Sequence, residues 1–328
     1  MPADHLTLPG TDVSIPRLGV GTWAWGDEST WGMGGYDTDL TRDSIRAAWD
    51  ASVDAGVTLF DTAEVYGGGE SERIIGSLLA ADPDRAPRAV VATKIMPSPW
   101  KLNVRSALLS SLRASLARLG LPAVDLYQLH GPISLRSHAA LADALAAAHG
   151  AGLVKAVGVS NYSIKETRSM ARALEARGLR LATNQIEFSL LRRAPETGGL
   201  LAACADLGVI PLAYSPIGQG RLTGKYSAAN PPPGKRNFSN HPMAVVDGIV
   251  DELRRIGEEH GGKGPGQVAL NWVVTKGAVP IPGAKNRRQA EENAGALGWH
   301  LDGDQLARLD RAALPGIRNL ASRVWQHG

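Results

Sequence analysis

The chain has 328 residues, of which 44% are hydrophobic and 20% charged, values typical of a globular protein with a large apolar core. Its formal net charge of +3 is spread along the chain, which argues against a nucleic-acid partner. Residues 1–11 show no secretory signal, and no apolar run reaches the roughly 20 residues that a membrane-spanning helix needs. The single Cys204 cannot form an internal disulfide, so these features predict a cytoplasmic protein.

Short β-branched runs alternate along the chain with segments of helical periodicity. In the segment 103–119, for example, Leu108, Leu112 and Leu116 recur every fourth residue, and Asn103 is the predicted N-cap. This alternation predicts parallel strands joined by right-handed helical crossovers. The predicted strands are 18–21, 58–61, 89–93, 124–129, 156–160, 182–187, 210–214 and 278–281.

About eight strand–helix units over roughly 250 residues match a closed barrel better than an open sheet. A dinucleotide-binding open sheet would usually carry a G-x-G-x-x-G turn after an early strand, and the glycines at 67, 68 and 69 lack that spacing. We therefore predict an α/β fold, a (β/α)8 TIM barrel with accessory C-terminal helices, formed as a single domain by residues 1–328. A β-hairpin over 6–15 is expected to cap the barrel bottom, and residues 227–242 are expected to form a long irregular loop.

Four ionisable side chains are predicted at one mouth of this barrel. Asp61, Lys94 and His130 each end a strand-like run, and Tyr66 lies in the loop that follows Asp61. In barrel enzymes the active site is built from the carboxyl ends of the strands and the loops after them. Each residue alone has an ordinary structural explanation, as a helix cap, a solvated lysine or a structural histidine. Four suitable residue types in this placement instead favour a catalytic site.

These residue types suit the reduction of a carbonyl group. Hydride addition to the carbonyl carbon leaves an alkoxide, which needs a proton as it forms. Tyrosine, with an ordinary pKa of about 10, is a protonated donor at neutral pH. The Lys94 ammonium is expected to lower the pKa of Tyr66, and Asp61 is expected to hold that ammonium in place. His130 can donate a hydrogen bond to the carbonyl oxygen. No cysteine and histidine cluster offers a metal site, so we predict no metal.

The pattern resembles the aldo-keto reductases over nearly the whole chain. The run 61–67, with Lys94 and His130 after it, resembles the Asp/Tyr/Lys/His tetrad of that family. The resemblance implies that Asp61, Tyr66, Lys94 and His130 are catalytic. Further matches to the family, in chain order, are GVGTW at 19–23, GVSNY at 158–162, NQIEF at 184–188, YSPIG at 214–218, GRLTGKY at 220–226 and IPGAK at 281–285, followed by Glu292 and Asn293.

The resemblance also implies NADPH as the cofactor. Amide and hydroxyl groups can satisfy the nicotinamide carboxamide, and Tyr214 is expected to stack on the ring. A cationic cluster around Lys285, beside a helix start, is expected to hold the 2′-phosphate that distinguishes NADPH from NADH. The expected cofactor contacts are Thr22, Trp23, Asp61, Ser160, Asn161, Gln185, Tyr214, Ser215, Pro216, Ile217, Gly218, Gly220, Leu222, Lys225, Arg236, Gly283, Lys285, Gln289, Glu292 and Asn293.

A small-molecule carbonyl substrate is expected at the same mouth. Aromatic walls with few polar groups are typical of such pockets, and several tryptophans are expected on loops there. The layout of these loops resembles bacterial and plant members of the family, pyridoxal reductases among them. The expected substrate contacts are Trp25, Trp31, Tyr66, Met96, Trp100 and His130.

Two other functions stay open on the sequence. A cofactor-sensing regulatory subunit, similar to the potassium-channel beta subunits, would keep the tetrad and act by docking to a partner. Alternatively, the same site could oxidise an alcohol or act as a lyase, because Tyr66 and Lys94 serve either direction. The sequence predicts no membrane partner, and it leaves open the oligomeric state and the basic residue that holds the 2′-phosphate.

Overall fold

The fold is a parallel β-barrel surrounded by helices, seen in a computed structural model that describes residues 5–26, 40–100, 103–233, 238–317 and 320–328. Within those ranges the strands are β1 (His5–Thr7), β2 (Ser14–Pro16), β3 (Gly19–Gly21), β4 (Leu59–Asp61), β5 (Val90–Ile95), β6 (Val124–Leu129), β7 (Val154–Ser160), β8 (Leu181–Glu187), β9 (Ile210–Tyr214) and β10 (Val279–Pro280).

Strands β3 to β10 pair in chain order, each parallel to the next. The sheet closes where Gly21 forms a parallel bridge with Gly283 and donates its amide to the Pro282 carbonyl at 2.9 Å. A Cβ on Gly21 would lie 2.8 Å from the Ile281 carbonyl oxygen, so this closure needs glycine. Because all eight strands run the same way, their carboxyl ends open at one mouth. The predicted barrel is confirmed.

The helices cover the outside of the barrel. In the described part of the chain they are α1 (Trp23–Gly26), α2 (Arg42–Asp54), α3 (Glu70–Ala81), α4 (Val104–Leu119), α5 (His138–Gly150), α6 (Ile164–Glu175), α7 (Ala194–Thr197), α8 (Leu200–Leu207), α9 (Met243–Glu259), α10 (Pro265–Thr275), α11 (Arg287–Ala294), α12 (Gly303–Ala312) and α13 (Leu320–Trp325).

Helix α4 forms as its sequence predicts. The Asn103 side chain accepts from the Ser106 amide, so it caps the first turn. Leu108 and Leu112 are fully buried and form the apolar stripe that packs on the barrel. Full burial of one such side chain contributes roughly 1.5–3 kcal/mol to folding. The helix ends at Gly120, whose φ of 66° lies in the left-handed region.

A second apolar cluster fills the bottom of the barrel. Its buried members come from the strands and from the β1–β2 hairpin, and they are Leu8, Val13, Ile15, Leu59, Ala92, Leu126, Ala156, Ala182, Leu212, Val279 and Ile281. The hairpin pairs antiparallel and contributes side chains to this plug, which confirms the predicted cap.

Side-chain alternation along the strands places a polar layer above this plug. Successive side chains of a strand point to opposite faces, so residues two positions after an inward one also point inward. Leu59, Ala92, Leu126 and Leu212 belong to the plug. Two positions further on, the same strands carry Asp61, Lys94, Gln128 and Tyr214. The mouth is therefore lined by ionisable and amide side chains, although the layer beneath it is apolar.

Some predicted boundaries differ from those of the structure. Strand β5 continues to Ile95, so Lys94 lies within a strand instead of following it. Strand β10 has two residues, because Pro280 and Pro282 have no amide proton to donate to a ladder. The described parts of the predicted loop, 227–233 and 238–242, contain no helix or strand. Among the described residues, no helix has the length and apolar character that crossing a membrane requires.

Candidate active site

The four predicted catalytic side chains meet at the mouth of the barrel. Lys94 is fully buried, and its Nζ donates to Asp61 Oδ2 and to the Thr62 carbonyl, each at 2.7 Å. The same nitrogen lies 3.4 Å from the Tyr66 hydroxyl. The His130 ring stands edge-on to the Tyr66 ring, with centroids 5.6 Å apart. An ion pair and a phenol therefore share one small space with an imidazole.

The Asp61 carboxylate is held by donors on both oxygens. Oδ2 accepts from Lys94, while Oδ1 accepts from Gln185 Nε2 at 2.8 Å and from Gln128 Nε2 at 3.3 Å. Asp61 is only 2% exposed, so these donors replace the water that a carboxylate would otherwise bind. The arrangement fixes the position of the lysine and hence of its contact with Tyr66.

Burial and neighbouring charges set the protonation states of these groups. Burial lowers the pKa of Lys94, and the Asp61 carboxylate opposes that lowering. Burial, and then the Lys94 ammonium, place the pKa of His130 well below its ordinary value. The site thus holds a neutral imidazole at neutral pH.

The direction expected for the pKa of Tyr66 was wrong. Burial, and then the negative charge of Asp61, raise the pKa of Tyr66 well above 10.0. The sequence predicts instead that the Lys94 ammonium lowers this pKa. Burial and the Asp61 carboxylate both act in the opposite direction, and burial is the larger of the two causes. Tyr66 is therefore a fully protonated phenol at neutral pH.

A glycine turn delivers Tyr66 to this space. The 3-10 helix Tyr66–Gly69 leads directly into α3. Gly67 has a φ of 58°, and a Cβ there would lie 1.7 Å from the Gly26 carbonyl oxygen. Only glycine allows the loop to approach α1 so closely. Close packing of Gly67 against the Gly26 carbonyl thus fixes the backbone that directly follows Tyr66.

The residues expected around the nicotinamide are brought together. Ser160 Oγ donates to the Gln185 carbonyl at 2.9 Å, and Asn161 Nδ2 donates to Ser160 Oγ at 3.0 Å. The Tyr214 hydroxyl donates to Asn161 Oδ1 at 2.9 Å. Thr22, fully buried, donates its hydroxyl to the Asp61 carbonyl at 3.0 Å, and Trp23 follows it at the start of α1. These groups form one polar rim beside the tetrad.

Strained backbone occurs beside this rim and elsewhere in the structure. Among the described residues, the non-glycine positions with positive φ are Asn161, Ser215, Gln219 and Ser239, at 63°, 51°, 55° and 40°. Such conformations cost roughly 1–3 kcal/mol each and cluster at ligand sites, where the surrounding structure over-determines them. Asn161 directly follows β7 and Ser215 directly follows β9, so two of the four strained positions lie at the carboxyl ends of these strands.

The turn expected to hold the pyrophosphate follows β9. It runs through Ser215, Pro216 and Ile217 into the 3-10 helix Gly218–Thr223. The amide of Gly218 donates to the Ser215 carbonyl, and those of Gly220 and Leu222 donate to the Ile217 carbonyl. Three of the expected phosphate donors are thus engaged within the turn. Lys225 follows it, with Nζ 5.4 Å from the Tyr226 ring centroid.

The residues expected around the adenosine also lie together. The Lys285 amide donates to Gln289 Oε1 at 3.0 Å, and Asn293 Nδ2 donates to the Gly283 carbonyl at 3.2 Å. Glu292 forms a surface ion pair with Arg288 at 2.7 Å. This loop closes the barrel against β3, so it lies next to the strand that leads to Thr22.

The tryptophans and the methionine expected to contact substrate differ in where they lie: two are at or near the mouth, one is buried, and one is outside the described residues. Met96 follows β5 at the mouth, and Trp100 lies in the loop after it with 77% of its surface exposed. Trp25 was expected on an open loop, which is wrong: it lies in α1, is 4% exposed and donates Nε1 to the Ala284 carbonyl at 2.7 Å. Its large apolar ring is buried near Phe60 in the core. Trp31 lies outside the described residues, as does the proposed phosphate ligand Arg236.

Several residues of the site were not anticipated from the sequence. Gln128 links Asp61 to the Thr183 hydroxyl, which donates to Gln128 Oε1 at 3.1 Å. Strand alternation could have indicated this residue, because Gln128 lies two positions before His130 and its side chain therefore points to the same face. Trp325 and Gln326 also reach the mouth, and Gln326 bonds to Tyr214 over 112 residues of sequence. No local pattern indicates such a contact.

The comparison with known proteins agrees with this geometry. A model of the aldo/keto reductase family matches residues 17–313. The chain belongs to the aldo/keto reductase family. It is therefore an oxidoreductase of a family that reduces carbonyls and uses nicotinamide cofactors. Among the described residues, no group of three or more histidine, cysteine, aspartate or glutamate side chains is placed to hold a metal ion.

Relatives within the family differ in what they act on. The chloroplastic pyridoxal reductase of Arabidopsis thaliana is 36% identical over 327 residues, covering 96% of this chain and 87% of that one. The L-glyceraldehyde 3-phosphate reductase of Escherichia coli K12 is 31% identical, covering 95% and 92%. The solved glycerol dehydrogenase of Gluconobacter oxydans superposes with a TM-score of 0.81 at 28% identity, covering 98% and 99%. Each spans nearly the whole chain.

Proposed function

We propose that this protein is an NADPH-dependent reductase of small aldehydes or ketones, with Tyr66 as the proton donor. The observation that carries the proposal is the contact between the Lys94 ammonium and the Tyr66 hydroxyl, 3.4 Å apart, with Asp61 behind the lysine and His130 beside the phenol. NADPH, when bound, would supply the hydride. The four side chains supply the proton and hold the carbonyl oxygen.

The protonation states of the site suit reduction. Tyr66 is a phenol whose proton can pass to the oxygen as negative charge develops there. The Lys94 ammonium stabilises the phenolate that this transfer leaves, and Asp61 keeps the ammonium oriented. The neutral His130 ring retains one N–H, which can donate to the same carbonyl oxygen. Tyr66 and His130 thus act on the carbonyl oxygen, and Lys94 and Asp61 act on the Tyr66 hydroxyl.

The residues at the rim fit a nicotinamide dinucleotide. Ser160, Asn161 and Gln185 offer hydroxyl and amide groups for the carboxamide, and Tyr214 offers an aromatic face. The turn after β9 leads away from them and would hold the pyrophosphate, and the loop at Lys285 would hold the adenosine end. In this proposal the whole chain, residues 1–328, forms one cytoplasmic domain.

Replacing Lys285 with Ala is expected to weaken NADPH binding by about 10–100-fold, the loss expected when one charged hydrogen-bond partner is removed. NADH binding should change little, because NADH lacks the 2′-phosphate. Fluorescence titration with both cofactors measures the two values of Kd. Lys165→Ala removes an exposed lysine of α6 and is the control. An equal loss for NADH and NADPH would contradict the assignment of Lys285.

The rate of carbonyl reduction should not change as the pH passes through 6.5, the ordinary pKa of histidine. The pKa of His130 lies well below that value, so the ring is neutral on both sides of it and gains a proton only at lower pH. The pKa of Tyr66 lies above 10.0, so the phenol is protonated throughout. Steady-state kcat/KM across this range checks the prediction. A midpoint near 6.5 would show that His130 titrates as an exposed residue does.

The direct test of the proposed activity follows NADPH absorbance with purified protein and a panel of aldehydes. Pyridoxal and other aromatic aldehydes head the panel, because a pyridoxal reductase is 36% identical and aromatic side chains lie near the mouth. Saturable loss of NADPH, with NADH much slower, is the expected result. Tight binding of NADPH without turnover on any substrate would favour a cofactor-sensing role. Turnover seen only from alcohols and NADP⁺ would reverse the proposed direction.

A further inference from the structure

Residues 325–328, which we name the closing segment, lie against the carboxyl ends of β6 and β7. The Trp325 ring stands edge-on to His130, with centroids 5.3 Å apart. The amides of His327 and Gly328 both donate to the Asn161 carbonyl, at 3.0 and 3.2 Å. The segment is also held by a side-chain contact, in which His327 Nδ1 lies 2.9 Å from Glu166 Oε1. The closing segment is therefore seated on the strand ends that form the candidate site.

Gln326 of this segment begins a directed chain of hydrogen bonds. Its Nε2 donates to the Tyr214 hydroxyl at 2.8 Å, and that hydroxyl donates to Asn161 Oδ1 at 2.9 Å. Asn161 Nδ2 donates to Ser160 Oγ at 3.0 Å, and Ser160 Oγ donates to the Gln185 carbonyl at 2.9 Å. An amide nitrogen can only donate and a carbonyl oxygen can only accept, so the direction of the chain is fixed at both ends.

Glu187 anchors the first member of this chain. The side chain of Gln326 donates its second amide proton to Glu187 Oε2. Glu187 Oε1 accepts from Ser239 Oγ at 2.7 Å, and Arg192 lies 3.7 Å from the carboxylate. Gln326 is 2% exposed and Glu187 3% exposed, so water does not compete for these bonds. Both amide protons of Gln326 are thus committed, and its orientation is determined.

We propose that Gln326 is a positioning residue for hydride transfer, acting through the Tyr214 hydroxyl on the Asn161 amide. This rests on the proposed function, in which Asn161 and Ser160 receive the nicotinamide carboxamide and Tyr214 covers the ring. By donating to Tyr214, Gln326 makes that hydroxyl a donor toward Asn161, which fixes the amide with its nitrogen toward Ser160. A tilted ring or a rotated amide would misplace the nicotinamide and slow the reaction.

A double-mutant cycle between Gln326→Leu and Tyr214→Phe tests the proposal in the full-length protein. Each single variant is expected to lower the single-turnover rate of NADPH oxidation about tenfold, the loss that one buried hydrogen bond accounts for. The double variant should be no more than about twofold slower than the slower single variant, because both changes remove the same link. The Kd for NADPH should change less than about threefold throughout, since most binding contacts remain.

Val324→Ala is the matched control, because Val324 precedes the closing segment and is 64% exposed. A Gln326→Leu rate equal to that of this control would overturn the proposal, as would single-variant losses that multiply to about hundredfold in the double variant. Gln326→Met takes the place of the leucine variant if the latter does not fold. Failure of both to fold would assign Gln326 to the fold and overturn the proposal. Wild-type protein without NADPH turnover would overturn the proposed function first, before any variant is made.

Discussion

Tyr66→Phe is expected to lower kcat for carbonyl reduction by about 10³-fold, within the range that a general acid contributes. The substitution removes only the hydroxyl that lies 3.4 Å from Lys94 Nζ, and it keeps the ring that packs edge-on to His130. The affinity for NADPH should be nearly unchanged, because the expected cofactor contacts come from other side chains and the substitution removes a single hydroxyl group. Single-turnover kinetics together with NADPH titration separates the two effects.

Tyr127→Phe is the control for this experiment. Tyr127 is also fully buried, but it lies on the outer face of β6, and its hydroxyl has no hydrogen-bond partner among the described residues. Its removal should therefore leave both rate and stability close to those of the wild type. Loss of NADPH binding together with activity in Tyr66→Phe would indicate that Tyr66 is structural.

Lys94→Met is expected to abolish turnover and to lower the free energy of unfolding by about 3–5 kcal/mol, the cost of leaving one buried charge without its partner. Asp61 is 2% exposed and would keep only the donors from Gln128 and Gln185. Urea unfolding of the wild type and the variant measures the difference.

The stability of the double variant identifies the cause of that loss. Asp61→Asn combined with Lys94→Met should be more stable than Lys94→Met alone, because no uncompensated carboxylate remains. Lys155→Met breaks an exposed ion pair with Asp125 and should cost at most about 1 kcal/mol. Equal losses in Lys94→Met and Lys155→Met would show that the buried pair contributes no more than a surface one.

The parts of the site that the sequence predicts are those encoded by short-range periodicity. Strand alternation and the βα rhythm place Asp61 and Lys94 at strand ends, and parallel pairing then brings those ends together. Exact strand ends were less accessible: Lys94 lies inside β5, and β10 is shorter than predicted. A shift in where a strand ends does not change which face of the barrel sheet its side chains point to, so these errors leave the predicted site residues on the inner face.

The parts that the sequence does not predict depend on contacts between distant segments. Gln326 meets Tyr214 only because α13 ends over the mouth, and Trp25 is buried because α1 packs near Phe60. The pKa of Tyr66 depends on its burial and on its proximity to the Asp61 carboxylate, which residue order alone does not give. The burial of Trp25 likewise could not be read from its residue type.

Transfer of deuterium from labelled NADPH to the carbonyl carbon of an accepted aldehyde tests the central claim most directly. NADPH deuterated at the transferable position of the nicotinamide is incubated with wild-type protein, and the alcohol product is analysed by mass spectrometry and NMR. We expect one deuterium on the carbinol carbon for the wild type and for Tyr127→Phe, and almost none for Tyr66→Phe. Cofactor binding with no labelled alcohol from any aldehyde of the panel would contradict the account.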